Sequence, residues 1–421
     1  MRIGFVSTYP PAECGIATYT QYLRESFNPS QHESFVICQA GGAGEGVFPL
    51  WHPGQRFSEN VFGTATRMTP DVVHIQHEYG LFGSQHGAEV VDLLLRLRLA
   101  EVPAVVTLHT VYETITDAQR MVLRHIVEDS SAVIVHESYQ KETLVREFGR
   151  PEKVHVIEHG IREADPVPDA KRRLGLEGKK VVLMCGYFRK SKGFDEALRF
   201  FPEVAENCDD AVLVMAGKIR GIEAKDVQAE LYSALDEMPF ADRVRYFRGQ
   251  FPQYTLDALL SAADCVVLPY RAGAQSGMLS QCLAFGAPVV SSGLRAFRDV
   301  LERTGGGLVC DHPEEYGSAI TRVLTEPDLA EDLRRSARRY IRETGGWSRI
   351  AERHLDVYEP LVNPPGSRGQ YAFLPEPAVE AMRTPKAPAL DRPTRRPALS
   401  RAADRGTFRY RDGHTALAAA E

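Results

Sequence analysis

The feature that most limits what this chain can become is an alternation that runs through it twice. Short runs, apolar at consecutive positions, recur in the first part: RIGFVS from Arg2, SFVICQA from Ser34, DVVHIQH from Asp71, AVVTLHT from Ala104, SAVIVHES from Ser131 and KVHVIEHG from Lys153. Helix-patterned segments such as ATYTQYLRESF, from Ala17, separate them. Strands that are apolar on both faces and spaced by helices call for a parallel sheet covered on both sides. After a polar stretch, READPVPDAKRRLGLEGKK from Arg162, the alternation restarts with VVLMCGYF, AVLVMAGK, VRYFRGQ, CVVLPYR, APVVSSG and GGLVC. Two α/β domains of similar layout are therefore expected, with a boundary near residues 162–178 and no sequence repeat between them. A helix-like segment, WSRIAERHLDVYEPL from Trp347, closes the second half. From about Asn363 the chain turns rich in Pro, Arg and Ala without periodicity, which predicts a disordered tail.

Composition narrows the partners. A net charge of −6, with 43% hydrophobic and 25% charged residues, is ordinary for a globular protein and gives no pull toward nucleic acid or anionic membrane. Seven dispersed cysteines without a CxxC pair fit a reducing compartment. The opening MRIGFVSTYPP reads as a strand ended by Pro-Pro and not as a signal peptide, and no run nears the roughly 20 apolar residues of a membrane span, so a cytoplasmic protein is expected. VVDLLLRLRLAEV, from Val90, reads as a buried helix with Arg96 and Arg98 toward solvent; a weak peripheral membrane contact is the alternative.

In open parallel sheets ligands bind beyond the carboxyl ends of the strands, so the residues that follow each strand are the candidates. After the first strand, Gly15 and Ile16 open a helix whose N-terminus favours an anion. His77-Glu78-Tyr79-Gly80 and His109-Thr110 follow two later strands, placing histidines where a cleft would lie. GGAGEG, from Gly41, follows a strand but precedes no helix, so it is not a dinucleotide fingerprint. In the second half, CGYFRKSKGFDEAL brings Gly186, Arg189, Lys190 and Lys192 into a turn before a helix expected from Phe194, a cationic setting suited to a diphosphate. The loop AGAQSGMLSQCLAFGAPVVSS offers the backbone N–H groups of Ser276, Gly277, Met278 and Leu279 at a helix start, a second anion nest. No DxD-type acidic pair stands at a strand end. The negative charge would then be met by N–H groups and lysine, with no metal ligand assigned.

Gly15, His109, the Lys192-Gly193 pair and SGMLSQCLAFGAPVVSS, with STYPPAECGIATYT, HIQHEYGLFG and TLHTV, resemble the retaining GT-B glycosyltransferases of family GT4 over about residues 1–360. The resemblance implies two Rossmann-like domains facing a cleft: an acceptor-binding domain (residues 1–165), a nucleotide-sugar-binding domain (166–345), a helix crossing back to the first domain (346–362) and a tail (363–421). It implies a GDP- or UDP-linked hexose as co-substrate, no further cofactor, and a carbohydrate, glycolipid or small-molecule acceptor. Lys192 matches the family's diphosphate lysine, with Arg189 standing in for an arginine whose usual place, after Gly186, is held by Tyr187. His109 matches the histidine near the reacting carbon, and Gly15 the glycine beside the phosphate. His159-Gly160-Ile161 stands where the family has Asn-Gly-Val. Two family glutamates fall at Gly273 and Gln281; Gln281 can still hydrogen-bond a ribose, and Gln275 with its neighbouring backbone is the candidate for sugar recognition. A GT-B epimerase or phosphorylase, and a catalytically degenerate nucleotide-sugar-binding protein, remain as alternatives. Donor, acceptor and oligomeric state stay open.

Overall fold

The computed structural model describes residues 1–363 except Glu13, 53–56, Ser84, 220–223 and 250–251, and leaves the side chains of 218–219 and 224–227 undescribed. The expected tail lies outside these residues.

The first sheet contains β1 (Arg2–Ser7), β2 (Glu33–Gln39), β3 (Val47–Trp51), β4 (Val72–His77), β5 (Ala104–Leu108), β6 (Ala132–Val135) and β7 (Val154–Val156), in the order β3-β2-β1-β4-β5-β6-β7. The second contains β8 (Lys180–Phe188), β9 (Ala211–Ile219), β10 (Val244–Arg248), β11 (Cys265–Leu268), β12 (Val289–Ser292) and β13 (Gly307–Cys310), in the order β10-β9-β8-β11-β12-β13. Every pairing is parallel. Each sheet is doubly wound, and its order reverses beside its first strand, between β1 and β4 and between β8 and β11. That reversal opens a crevice at the carboxyl ends, where crossover connections leave in opposite directions.

Burial explains the sequence pattern. All six residues of β4 are buried, as are all five of β5 and all four of β6 and β11. Separate apolar clusters lie on the two faces of each sheet. The edge strand β3 was not expected. Its sequence VFPLW carries Pro49, which cannot donate to a ladder and is tolerated at an edge. The segment from Phe194 also differs from expectation. It begins as two 3₁₀ turns, Lys190–Lys192 and Phe194–Glu196, separated by Gly193 in the left-handed region, and becomes α-helical only over Ala197–Asn207.

The final helix, Gly346–Val362, packs on the first sheet's domain. Its Tyr358 hydroxyl lies 2.5 Å from His74 Nδ1, its Trp347 ring meets Tyr19 at 5.1 Å, and Arg353 donates to the Val156 carbonyl at 2.6 Å. The helix Glu89–Leu99 buries Val90, Leu93, Leu94 and Leu97 while Arg98 pairs with Asp129. No helix among the described residues is long and apolar enough to cross a membrane.

Candidate active site

Loops from the carboxyl ends of both sheets enclose one cavity of about 660 Å³. Of the residues singled out in the sequence, Gly15, Ile16, His109, Gly186, Arg189, Lys192, Gln275, Ser276, Gly277, Met278 and Gln281 all line it. Residues as far apart in sequence as Gly15 and Gln281 thus meet in one space because both sheets present their strand ends to it.

Two helix N-termini face this cavity. The helix Gly15–Glu25 follows extended Cys14 without a side-chain cap, and Gly15 leaves open space where a Cβ would stand. The helix Gly277–Ala284 is capped by Ser276, whose Oγ accepts the Leu279 N–H at 3.3 Å. Helical geometry leaves the first N–H groups, those of Gly277 and Met278, without an intrahelical acceptor. Leu279 corrects the sequence reading. Its amide is taken by the Ser276 cap and its side chain lies in the core, so it adds nothing to the nest.

Lys192 approaches from the other side. Its Nζ sits 3.6 Å from the centre of the Tyr270 ring, a cation–π arrangement. Desolvation, with the neighbouring Arg189 charge, lowers its pKa to about 8. The turn that carries it is held by Gly193, at φ +63, where a Cβ would fall 2.0 Å from the Pro269 carbonyl oxygen. Gly193→Ala therefore combines backbone strain with a collision, and is expected to cost about 2–3 kcal/mol of stability, read from urea unfolding. Gly186, at φ +133, likewise has a backbone that favours glycine.

His109 is engaged differently from the expectation. Its Nε2 lies 2.8 Å from Gln76 Oε1 and its Nδ1 lies 3.3 Å from His136 Nε2, while Tyr19 meets its ring edge-on at 4.8 Å. Both nitrogens are committed within the protein, and an imidazole contact to a ligand requires one of these partners to be exchanged. Burial, reinforced by the neighbouring histidines, holds His109 well below the usual imidazole range. His136 falls to about 3 and His159 to about 4, chiefly by burial.

Gln281 is also fixed. Arg162 donates Nε to its Oε1 at 3.1 Å and pairs with Asp257, and the Gln281 side chain also hydrogen-bonds Tyr22. Arg162 lines the cavity, yet the sequence reading absorbed it into the interdomain linker. Glu78 is a second lining residue to which the sequence assigns no role. It is the single carboxylate among the described lining residues, accepting from Thr110 Oγ1 at 2.6 Å and from the Tyr79 N–H at 3.0 Å. Burial raises its pKa against these hydrogen bonds and Arg189. Among the charged lining residues, Arg162, Arg189 and Lys192 outnumber this one carboxylate, an arrangement that suits an anion.

Two family models match in tandem: Glycosyltransferase Family 4 over residues 14–164 and Glycosyl transferases group 1 over 167–340. A phosphatidyl-myo-inositol mannosyltransferase from Mycolicibacterium smegmatis is 25% identical over 394 residues, which span 85% of this chain and 94% of that protein. The putative glycosyltransferase YtcC from Bacillus subtilis is 21% identical over 267 residues, spanning 60% of this chain but only 65% of that protein, less than two thirds of its length. Among solved structures, Anabaena HepE in complex with UDP superposes with a TM-score of 0.67 at 16% identity, covering 85% of this chain and 99% of that one. Two doubly wound sheets around one cleft, the tandem domain models and these likenesses agree, and the chain belongs to the group 1, family 4 glycosyltransferases of GT-B fold.

Proposed function

We propose that this protein is a retaining glycosyltransferase that moves a hexose from a GDP- or UDP-linked donor to an acceptor hydroxyl without a metal ion. The observation that carries the reading is the convergence of the Gly277–Ala284 helix N-terminus with Lys192 and Arg189 in one cavity. These groups meet the charge that develops on a departing nucleoside diphosphate, a task that a divalent cation performs in other sites. Anabaena HepE, solved with UDP and with UDP-glucose, supports a nucleotide sugar as the donor.

In this mechanism the second domain holds the donor and the first holds the acceptor. Lys192, Arg189 and the Gly277 and Met278 amides stabilise the diphosphate as the glycosidic C–O bond lengthens. The acceptor oxygen then attacks from the face the diphosphate leaves, which retains configuration. The acceptor proton passes to the departing phosphate oxygen. His109 lies in the wall beside the reacting sugar, and Gln275 with the adjacent backbone recognises its hydroxyls.

The test is a thermal shift with UDP, GDP, ADP and CMP, each with and without EDTA. A ligand that binds only the folded state raises Tm with its occupancy, by about 2.7 kcal/mol of added stability at a hundred times Kd. A rise with UDP or GDP that survives EDTA is expected. A rise abolished by EDTA removes the metal-independent mechanism, and no rise with any nucleotide removes the donor site. The degenerate reading draws on Gly273, which brings no side chain to the sugar. It would show as nucleotide binding without release of nucleoside diphosphate from any donor sugar.

A further inference from the structure

The loop between β11 and the Gly277–Ala284 helix is tied down at two places, and only one of them belongs to its own domain. On the near side, the N–H groups of Arg271 and Ala272 donate to the Ser191 carbonyl at 2.9 and 3.4 Å, and Arg271 pairs with Asp195 and Glu196 at 2.6 and 2.7 Å. These bonds join the loop to the Lys192 turn. Farther along, Tyr139 Oη donates to the Ala274 carbonyl at 2.6 Å, and Gln140 Nε2 donates to the same oxygen at 3.3 Å. Both donors come from the other domain, at the start of the helix Ser138–Phe148.

The Ala274 oxygen has two lone pairs and both are used. Gln140 is oriented for this, because its Oε1 accepts the backbone N–H groups of His136 and Glu137 at 2.8 and 3.0 Å and so turns the NH₂ toward Ala274. Tyr139, Gln140 and Ala274 are all buried. Between the two anchors lies Gly273, which has no Cβ to limit its backbone. The segment Gly273–Ser276, which leads into the anion-facing amides, is thus held at Ala274 by two side chains of the opposite domain. Around this contact Arg295 binds Glu142 at 2.9 Å and stacks over the Tyr139 ring at 5.3 Å, and Arg303 meets Glu137 at 3.3 Å.

We propose that Tyr139 is a positioning residue for the nucleotide site: through the Ala274 carbonyl, the acceptor domain sets the course of the loop that presents the Gly277 and Met278 amides, so that diphosphate affinity depends on the domains being joined. The inference rests on the nucleotide-sugar reading above. It makes closure of the cleft and shaping of the anion nest a single event, centred on the Ala274 carbonyl.

The experiment compares wild type, Tyr139→Phe and Glu142→Gln by titration calorimetry with UDP and GDP, alongside the Tm without ligand and amide exchange over residues 273–279. Tyr139→Phe keeps the ring and removes only the donor. It is expected to weaken nucleotide binding about tenfold, the worth of one buried hydrogen bond, and to speed exchange in the loop while Tm stays within about 2 °C. Glu142→Gln removes a surface ion pair with Arg295 across the same two domains without touching Tyr139 or Ala274, and should leave Kd within about twofold. Unchanged Kd in Tyr139→Phe overturns this inference while leaving the donor reading intact. Equal weakening by Glu142→Gln also overturns it, since Tyr139 would then be one strut among several. Failure of wild type to bind either nucleotide overturns the donor reading and this inference with it.

Discussion

Between pH 6.5 and pH 5 the protein is expected to lose an amount of stability comparable to its whole folding free energy. Burial holds six histidines neutral: His77, His159 and His354 at about 4, His136 at about 3, and His74 and His109 well below the usual range. In the unfolded chain each regains a pKa near 6.5. Their folded pKa values are depressed, so below pH 6.5 the unfolded state binds protons that the native state refuses. Stability therefore rises with pH up to that point and drops beneath it, by up to about 1.4 kcal/mol per histidine per pH unit. At pH 5.5 the six together cost about 8 kcal/mol, against a typical total of 5–15 kcal/mol. The decline persists until the folded values near 4 and 3 are reached. Glu137, pushed up to about 7 by burial, works in the opposite direction but is outnumbered. Circular dichroism against pH should place the acid midpoint between about pH 5 and 6. A signal flat down to pH 4.5 would show that the cluster takes up protons while folded.

Lys192→Ala should lower turnover by about two to three orders of magnitude, the loss measured when one preorganised group facing a developing oxyanion is removed. The folded protein should survive the change. Desolvation has already lowered this ammonium to about 8, so in the empty site the charge is a cost, and its removal sacrifices no ion pair and only the contact with the Tyr270 ring. The expected pattern is a Tm close to that of wild type with release of nucleoside diphosphate nearly abolished. The same shift sets a pH limit. In the free enzyme kcat/KM should fall above pH about 8 as the ammonium loses its proton, and Lys192→Arg, whose guanidinium stays charged, should move that limb upward. Initial rates from pH 6.5 to 9.5 check both. Near-normal turnover in Lys192→Ala would remove the lysine from the mechanism.

The two sheets were legible because their central strands are buried on both faces, which leaves a contiguous apolar signature in RIGFVS, DVVHIQH and CVVLPYR. β3 was not, since an edge strand has one free side and tolerates Pro49. The cavity's chemistry was legible where it sits at a strand end or a helix start, as Gly15, Lys192 and Ser276 do. Leu279 could have been excluded from the same sequence: a serine three residues ahead of an amide at a helix start is a capping pattern. Arg162, Glu78 and Tyr139 carry no local signal. Their roles arise from contacts with Gln281, Thr110 and Ala274, residues 119, 32 and 135 positions away, and only the folded chain brings them together.

The last helix has a consequence for how the protein is made. Ile350, Ala351 and Tyr358 belong to the same apolar cluster as Ile3, Phe5 and Val36, on one face of the first sheet. During synthesis the first domain emerges complete in its strands but lacks this cover until the final turns of Gly346–Val362 have left the ribosome. Domains of a nascent chain ordinarily fold in order from the N-terminus. Here Ile3 and Phe5 wait for Ile350 and Tyr358, so the first domain is completed only after the second has been synthesised, and a polypeptide ending between the two domains would lack the cover that the second half carries.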